Sequence, residues 1–268
     1  MTRRARPGAL WLAFTLACRA NGGDDDAAAS GDSDTADTAD SGQLTGETTS
    51  DPTATSDPSG DPGAGGVCDA GQHSGEATYY AAEGSGNCSF DAGPDVLIAA
   101  MNDADYANSA ACGACVEIVG PDATIVVRIV DRCPGCPQGD IDLGEAAFPK
   151  IAAKELGRVP ITWQYVSCPV EGALVYRFKE GSSEYWTAVQ VRNHRNAIAS
   201  FEYREGGGAW QAVARAEYNY FIDEAGMGPG PIDFRVTDVE GNVVEDYGLM
   251  VQDAAEVAGA GQFPACMP

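Results

Sequence analysis

The segment DRCPGCPQGDIDLG, residues 131–144, holds the side chains with the most evident chemistry in this 268-residue chain. It contains the acids Asp131 and Asp142 and the pair Cys133 and Cys136. Two cysteines separated by two residues could form a redox pair or half of a zinc site. Aspartates beside them could instead supply an acid to a polysaccharide groove. The rest of the chain decides among these three interpretations.

The chain has nine cysteines, and Cys18 follows a short apolar segment near the N-terminus. Three arginines precede the apolar run 9–17, which is too short to span a bilayer and is typical of an export signal. Because the run ends in Leu-Ala-Cys, residues 1–18 resemble a lipoprotein-type signal peptide with Cys18 as the lipidated residue. An ordinary signal peptide cleaved nearby is the alternative.

The other eight cysteines are enough for four disulfides, which persist in the oxidising environment that export implies. That environment argues against a redox or zinc role for Cys133 and Cys136. The chain also has only two histidines, His73 and His194, so a metal site is poorly supplied with ligands. We therefore expect no metal and no cofactor.

Acidic residues are spread along the whole chain, and the formal net charge is −24 at pH 7. Such a charge disfavours binding to nucleic acid and to anionic lipid, so we expect contact with a membrane only through a lipid anchor. Residues 19–67 have almost no large apolar side chain. They are predicted to be a disordered acidic linker, because they cannot bury enough surface to fold.

After this linker, short runs rich in Val, Ile, Thr and aromatic residues alternate with Gly, Pro, Asn and Asp. The pattern predicts a mainly β chain with domains over residues 68–169 and 170–268. Segments 94–103 and 143–156 have helical patterns, so two helices are expected in the first domain. The second domain has the strand spacing of a β-sandwich. The connection near Val170 is short, so the two domains should be held close together.

Both domains contain long motifs in a recognisable order. The first contains GEATYYAAEGSGNCSF, ACGACVEI and VDRCPGCPQGDIDLG, and the second contains EGSSEYWTAVQVRNH. In this order the chain resembles the expansins over residues 68–268. The resemblance implies a six-stranded double-psi β-barrel followed by an immunoglobulin-like β-sandwich that binds cellulose. The disulfides that the family pattern implies are Cys88–Cys112, Cys115–Cys168, Cys133–Cys136 and Cys68–Cys266.

The same resemblance assigns roles in a groove of the barrel. Asp142 matches the general acid of related endoglucanases, and Asp131 matches a second groove aspartate. Thr78 matches a groove threonine, and its neighbour Tyr79 is expected to contact substrate. A general acid needs a raised pKa, usually from an apolar environment. The structural alternatives are that Asp131 caps a turn and Asp142 caps a helix N-terminus.

A second carboxylate is required as a base for hydrolysis with inversion. In the related endoglucanases it follows the first-strand aromatic pair, where this chain has Ala81; Glu83, two residues further on, is the alternative base. The resemblance therefore implies loosening of cellulose-containing walls without hydrolysis. The rivals are a glycoside hydrolase, a peptidoglycan lytic transglycosylase, which can work with one acid, and an inert wall-binding adhesin.

The second domain supplies candidate sugar-binding aromatics. The three positions of the aromatic row in bacterial expansins are matched by Tyr185, Trp186 and Tyr218, and Lys179 matches a basic residue beside the row. Exposed rings can hold the apolar C–H faces of sugars. Because Tyr185 and Trp186 are adjacent, one strand cannot bury both on one face, so they should precede or begin a strand. Trp163 and Trp210 lack such a match and are expected in the core.

Partners follow from these assignments. Cellulose or a related β-glucan is the expected ligand, with xylan and peptidoglycan as further candidates and no nucleic acid. The acidity of the second domain makes crystalline cellulose a better match than anionic wall polymers. We expect an exported monomer at the cell surface or outside the cell.

Overall fold

A computed structural model describes residue 68, residues 71–95 and residues 97–266 of the chain. All of these belong to one compact unit. The predicted signal peptide, with Cys18, and the predicted linker 19–67 lie outside the described residues. Among the residues that are described, no helix is long and apolar enough to cross a membrane.

Six strands close into a barrel in the first half of the described chain. Their bounds are β1 His73–Tyr80, β2 Ile98–Asn102, β3 Cys115–Val119, β4 Thr124–Cys133, β5 Ile141–Gly144 and β6 Val159–Val166. Around the barrel the order is β1-β5-β2-β4-β3-β6, and β1–β5 and β2–β4 are parallel pairs. Side chains including Ala77, Met101, Ile129 and Trp163 fill the interior. The double-psi β-barrel is thereby confirmed.

The helix predicted over residues 94–103 is wrong. Its apolar part is the strand β2, and it is followed by a single helical turn, α1, at Asp103–Tyr106. All five residues of β2 are buried, because the strand lies between β4 and β5 in the barrel wall. A strand buried on both faces has no polar alternation, so its sequence cannot be told from that of a buried helix by periodicity.

The second predicted helix, over residues 143–156, is also wrong. The segment begins inside β5 and continues as two short 3₁₀ turns, Phe148–Lys150 and Lys154–Leu156. Pro149 lies in the first turn, where its missing N–H is tolerated, and Ala153 is extended and interrupts the helical backbone. The apolar side chains of this segment fill the bottom of the barrel core instead of forming a helical stripe.

The second half of the described chain is a β-sandwich, as predicted. Its strands are β7 Val175–Phe178, β8 Thr187–Arg192, β9 Ile198–Glu205, β10 Gln211–Ala212, β11 Phe221–Asp223, β12 Ile232–Asp238, β13 Val243–Leu249 and β14 Glu256–Ala258. They form the sheets β11-β8-β7-β14 and β10-β9-β12-β13. Between the sheets, Tyr176, Phe201 and Phe234 pack with ring centroids 4.9 Å apart in the pairs Tyr176–Phe234 and Phe201–Phe234.

Barrel and sandwich are joined by hydrogen bonds as well as by the chain. The Gln190 amide of β8 donates to the carbonyl oxygen of Cys88 over 2.8 Å. The Tyr106 hydroxyl donates to the carbonyl oxygen of Glu217 over 2.7 Å. These contacts agree with the expectation that the two halves are held close together.

Four disulfides join all eight cysteines of the described residues, in the pairs Cys68–Cys266, Cys88–Cys112, Cys115–Cys168 and Cys133–Cys136. These are the pairs that the family pattern implies. The first disulfide spans 198 residues and ties the start of the barrel to the end of the sandwich. The last spans three residues and closes the turn after β4.

Candidate functional site

Asp142 lies on the outer side of the barrel wall beside Thr78. The register of the parallel pair β1–β5 places the two residues opposite each other. Their chain neighbours Ala77, Ile141 and Leu143 are fully buried in the barrel core, so alternation turns Thr78 and Asp142 the other way. The Thr78 hydroxyl donates to Oδ1 of Asp142 over 2.5 Å.

The environment of Asp142 favours its protonated form. Burial is the largest cause of its raised pKa, and the negative charge of Asp131 raises it further. The Thr78 hydrogen bond and the positive charge of Arg158 act in the opposite direction and do not cancel the effect. Asp142 is thus better suited than an ordinary aspartate to donate a proton or a hydrogen bond. It lies in a strand, so it does not cap a helix.

Asp131 links β4 to the loop that follows β1. Its Oδ1 accepts the backbone N–H of Asn87 over 2.6 Å and that of Arg132 over 2.8 Å. The loop approaches so closely that a Cβ on Gly86 would lie 2.4 Å from Cγ of Asp131. Glycine is therefore required at position 86. Asp131 organises the loop, as the turn-capping alternative supposes, and its charge also acts on Asp142.

Tyr80 lies near Asp131 and Asp142 and was not among the residues predicted for the site. It follows Thr78 by two residues in β1 and therefore points to the same side of the strand. Its hydroxyl oxygen is buried and has no hydrogen-bond partner among the described residues. Burial raises the pKa of Tyr80, and Asp131 and Asp142 raise it further, so the hydroxyl keeps its proton.

The structure does not bring Tyr79 together with Thr78 and Asp142, and its contact with substrate stays a prediction. It points to the opposite side of β1 from Thr78 and packs on Phe148 with ring centroids 5.0 Å apart. The Nζ of Lys154 lies 5.3 Å from the centroid of its ring. Alternation along TYY could have identified Tyr80 instead, since only Thr78 and Tyr80 share a side.

The position expected for a catalytic base holds Ala81, which is exposed. Glu83, the alternative base, is also exposed, and its carbonyl oxygen accepts the N–H of Gly93 over 3.2 Å. The carboxylate whose charge acts on Asp142 is that of Asp131.

The CPGC segment forms a disulfide-closed turn at the edge of the groove. Cys133 and Cys136 are bonded to each other, and the N–H of Cys136 donates to the carbonyl oxygen of Cys133 over 3.2 Å. Arg132, just before the turn, pairs with Asp103 and lies 3.7 Å from the carboxylate of Glu217. Among the described residues, no group of three or more His, Cys, Asp or Glu side chains could hold a metal ion.

The three candidate row residues lie at the surface of the sandwich. Tyr185 is 75% exposed, and Trp186 and Tyr218 are partly exposed. Tyr185 and Trp186 come directly before β8, as predicted. The indole N–H of Trp186 donates to the carboxylate of Glu224 over 2.9 Å, which orients the ring. Lys179 is partly buried with its Nζ 5.2 Å from the centroid of the Tyr220 ring, which neighbours Tyr218.

Asn87 connects the groove to the segment that carries Tyr218. Its backbone N–H donates to Asp131, and its side-chain amide donates to the carbonyl oxygen of Glu217 over 3.0 Å. Glu217 directly precedes Tyr218 in the chain. The loop that is bound to Asp131 therefore also contacts the segment that carries Tyr218.

The two remaining tryptophans, Trp163 and Trp210, lie in different environments. Trp163 is 1% exposed and belongs to the barrel core, as expected. Trp210 was expected in the core as well, and this is wrong. It is partly exposed, and its ring centroid lies 4.4 Å from the guanidinium carbon of Arg204 and 4.1 Å from that of Arg235. It follows the glycine-rich turn after β9, where it covers the charged outer face of the sheet.

Comparison with known proteins agrees with this geometry. A family model described as "Lytic transglycolase" matches residues 98–163, which are β2 to β6 of the barrel. Expansin-YoaJ of Bacillus subtilis (strain 168) is 37% identical over 180 residues, which are 65% of this chain and 77% of that protein.

Two solved structures are similar as well. A crystal structure of the apo expansin of Clavibacter michiganensis has a TM-score of 0.67 and 32% identity, covering 72% of this chain and 99% of its own. A mutant of that expansin in complex with cellohexaose matches with the same TM-score, identity and coverage. Because identity extends across both the barrel and the sandwich, the chain belongs to the bacterial expansins.

Proposed function

We propose that this protein binds cellulose or a related β-glucan through the aromatic row of the sandwich and loosens glucan contacts in the groove of the barrel, without hydrolysis. The observation that carries the proposal is the Thr78–Asp142 pair, which holds an acid with a raised pKa in the barrel wall of a chain whose sandwich has exposed aromatic rings. The complex of a related expansin with cellohexaose supports the choice of a β-glucan.

Binding rests on the rings of Tyr185, Trp186 and Tyr218. Their faces can take the C–H faces of successive sugar rings, while hydroxyl groups remain in water at the rim. The bond from Trp186 to Glu224 holds one ring in place, so less conformational entropy is lost on binding. Charge contributes little to this mode, so binding should persist at high salt.

Loosening rests on the donors of the groove. Glucan chains are held together by hydrogen bonds, and a protein that replaces these bonds can separate chains without breaking a covalent bond. In its protonated form, the Asp142 carboxyl, whose pKa is raised, donates to a sugar oxygen. Thr78 holds the Asp142 carboxyl in position while this occurs.

The absence of hydrolysis is part of the proposal. Inverting hydrolysis needs a base that activates water on the side of the sugar opposite the acid. Ala81 stands where the endoglucanase pattern has that base, and the carboxylate of Asp131 already accepts two backbone N–H groups. A lytic transglycosylase reaction is not favoured, because the relatives that match across both the barrel and the sandwich are expansins.

The cellular location and the oligomeric state are proposed from the sequence alone. The protein is exported by the signal peptide 1–18, anchored through lipid on Cys18 and held from the membrane by the linker 19–67. It acts as a monomer at the cell surface, where xylan and peptidoglycan are further candidate ligands. Globomycin-sensitive processing and labelling with radioactive palmitate would test the anchor.

One experiment tests the proposed function. The full chain is incubated with microcrystalline cellulose, xylan and peptidoglycan in parallel, and bound protein and released reducing sugar are measured in the same tubes. The proposal expects retention on cellulose that survives high salt, weakening of a cellulose sheet under load, and no released sugar. Steady release of sugar that is lost in Asp142→Asn but kept in the exposed control Asp122→Asn would show an enzyme instead.

A further inference from the structure

A second concave surface lies between the barrel and the sandwich, away from the aromatic row. This seam cleft is bounded by parts of segment 84–98 and residues 128 and 130 of the barrel, and by residues 175, 192, 193 and 256 of the sandwich. Its volume is about 500 Å³, which is within the range of small-ligand sites.

The seam cleft is distinct from the row although both use β8. Trp186 directly precedes this strand, and Arg192 ends it. Arg192 points to the barrel, since it donates to the carbonyl oxygen of Ser89. Six residues of extended chain separate them, which is roughly 20 Å. Between them, Gln190 is hydrogen-bonded to the carbonyl oxygen of Cys88, so the contact with the barrel interrupts the surface. A ligand in the cleft would not touch the row.

The charges that line the cleft are nearly balanced. Nη1 of Arg192 donates to carboxylates of Asp91 and Glu256, both over 2.7 Å, and the Arg192 side chain is only 14% exposed. Nη2 of Arg128 lies 3.6 Å from the carboxylate of Asp95. The cleft is therefore lined by three acids and two bases, and it has no surplus positive charge to bind an anion. Each acid already has a basic partner.

The remaining wall is apolar and folded in advance. Phe90, Ile98, Val130 and Val175 line it together with Pro94. The loop of the cleft closes on itself, since the N–H of Gly93 donates to the carbonyl oxygen of Glu83 and a Cβ on Gly84 would lie 3.0 Å from the Gly93 nitrogen. Gly84 has φ +91°, so glycine suits this close approach.

From this arrangement we propose that the seam cleft is a second carbohydrate site, which binds a short neutral oligosaccharide. Sugar rings combine apolar C–H faces with hydroxyl groups that accept from guanidinium and donate to carboxylate. The cleft presents both kinds of partner side by side, in a concave site that admits a chain end or a branch but not a crystalline surface. The proposal does not depend on cellulose binding by the row.

The test uses the full chain with cellotetraose as the probe, by calorimetry and by mapping of amide chemical shifts. Trp186→Ala removes the main ring of the row, and we expect this variant still to bind with shifts at Gly93, Arg192 and Asn193. Val175→Trp fills the cleft from the outer side of β7 and should lower the affinity at least tenfold. Val243→Trp, on an exposed valine of β13, is the matched control and should bind as the wild type does.

Arg128→Gln provides a second variant that does not depend on the fold of Val175→Trp. Arg128 has one ion pair in the cleft, at 3.6 Å from Asp95, so its removal should disturb the protein less than removal of Arg192. The affinity for cellotetraose should fall at least threefold. Shifts confined to the row or to the groove, no saturable binding, or unchanged affinity in Arg128→Gln would overturn the proposal. Tighter binding of tetragalacturonic acid than of cellotetraose would overturn the assignment to a neutral ligand.

Discussion

The Thr78 hydroxyl donates a hydrogen bond to Oδ1 of Asp142 across the parallel pair β1–β5, over 2.5 Å. The bond ties the candidate acid to a neighbouring strand of the barrel wall, so its position is set by the fold and not by a mobile loop. Asp142 is thus held by Thr78 in a partly buried environment that raises the pKa of its carboxyl.

Asp142→Asn should remove wall loosening and leave cellulose binding intact. The amide keeps the shape of the side chain and can accept from Thr78, but it has no acidic proton. We expect loosening of a cellulose sheet to fall roughly tenfold, because a weaker amide N–H donor replaces the acidic O–H donor, a difference of about 1.4 kcal/mol. Creep under constant load measures it, with Asp122→Asn as the control. Full activity in Asp142→Asn would exclude the acid from the mechanism.

The pH dependence has a defined sign. Because the pKa of Asp142 is raised above its ordinary value of 3.8, the folded state binds this proton more tightly than the unfolded state. The stabilisation that Asp142 contributes is fully present when the pH is below the ordinary pKa. It is lost as the pH rises through the raised pKa of the folded state.

We therefore expect loosening and the denaturant midpoint of unfolding to decrease as the pH rises from about 4 to about 7. Both decreases should be steeper in the wild type than in Asp142→Asn. Creep and denaturant unfolding over this range measure the two effects. Parallel pH profiles in the two proteins would contradict the assignment.

Tyr80→Phe should stabilise the free protein or leave its stability unchanged, because it removes a buried hydroxyl without a partner, whose burial costs about 1–3 kcal/mol. The same change should leave loosening unchanged, because the buried hydroxyl has no surface that a glucan can reach. Chemical unfolding and creep give the two readouts, and Tyr79→Phe is the matched control on the other side of β1. A clear loss of stability in Tyr80→Phe would mean that the hydroxyl has a partner within the protein.

Trp186→Ala should weaken retention on cellulose without unfolding the sandwich. The ring is partly exposed, and stacking is worth about 1 kcal/mol, so affinity should fall about fivefold. Tyr185→Ala and Tyr218→Ala should have smaller effects. Trp210→Ala is the control, because this tryptophan is at the surface but is stacked on arginines away from the row. Equal losses in Trp186→Ala and Trp210→Ala would contradict a specific row.

Replacement of Cys68 and Cys266 by serine should cost about 2–5 kcal/mol of unfolding free energy, because the disulfide closes a very long loop. The corresponding change at Cys133 and Cys136 should cost less, since that loop spans three residues. Guanidinium unfolding of the two variants measures the difference. The reverse order would mean that the CPGC turn, and not the tie between the ends, dominates stability.

Several features of the fold follow from local pattern. The run TIVVRIVD became part of β4, and the aromatic pair Tyr185–Trp186 came directly before β8, as alternation required. Other features depend on burial from both sides, which local pattern does not report. The segment around Ile98–Asn102 is the main example, because its helical appearance arises from the fully buried wall of a barrel.

The sequence by itself determined the β-rich class, the two halves, and the expected grouping of Thr78, Asp131 and Asp142 in one site, the last through family motifs. Only the tertiary structure decided that Tyr80 and not Tyr79 lies on the side of β1 that carries Thr78, and that Trp210 is at the surface. The physical reason is that the chain specifies which residues alternate along a strand, whereas the packing of the whole barrel decides which side becomes core. Ala77, Ile141 and Leu143 fill the interior, and Thr78, Tyr80 and Asp142 are thereby turned outward together.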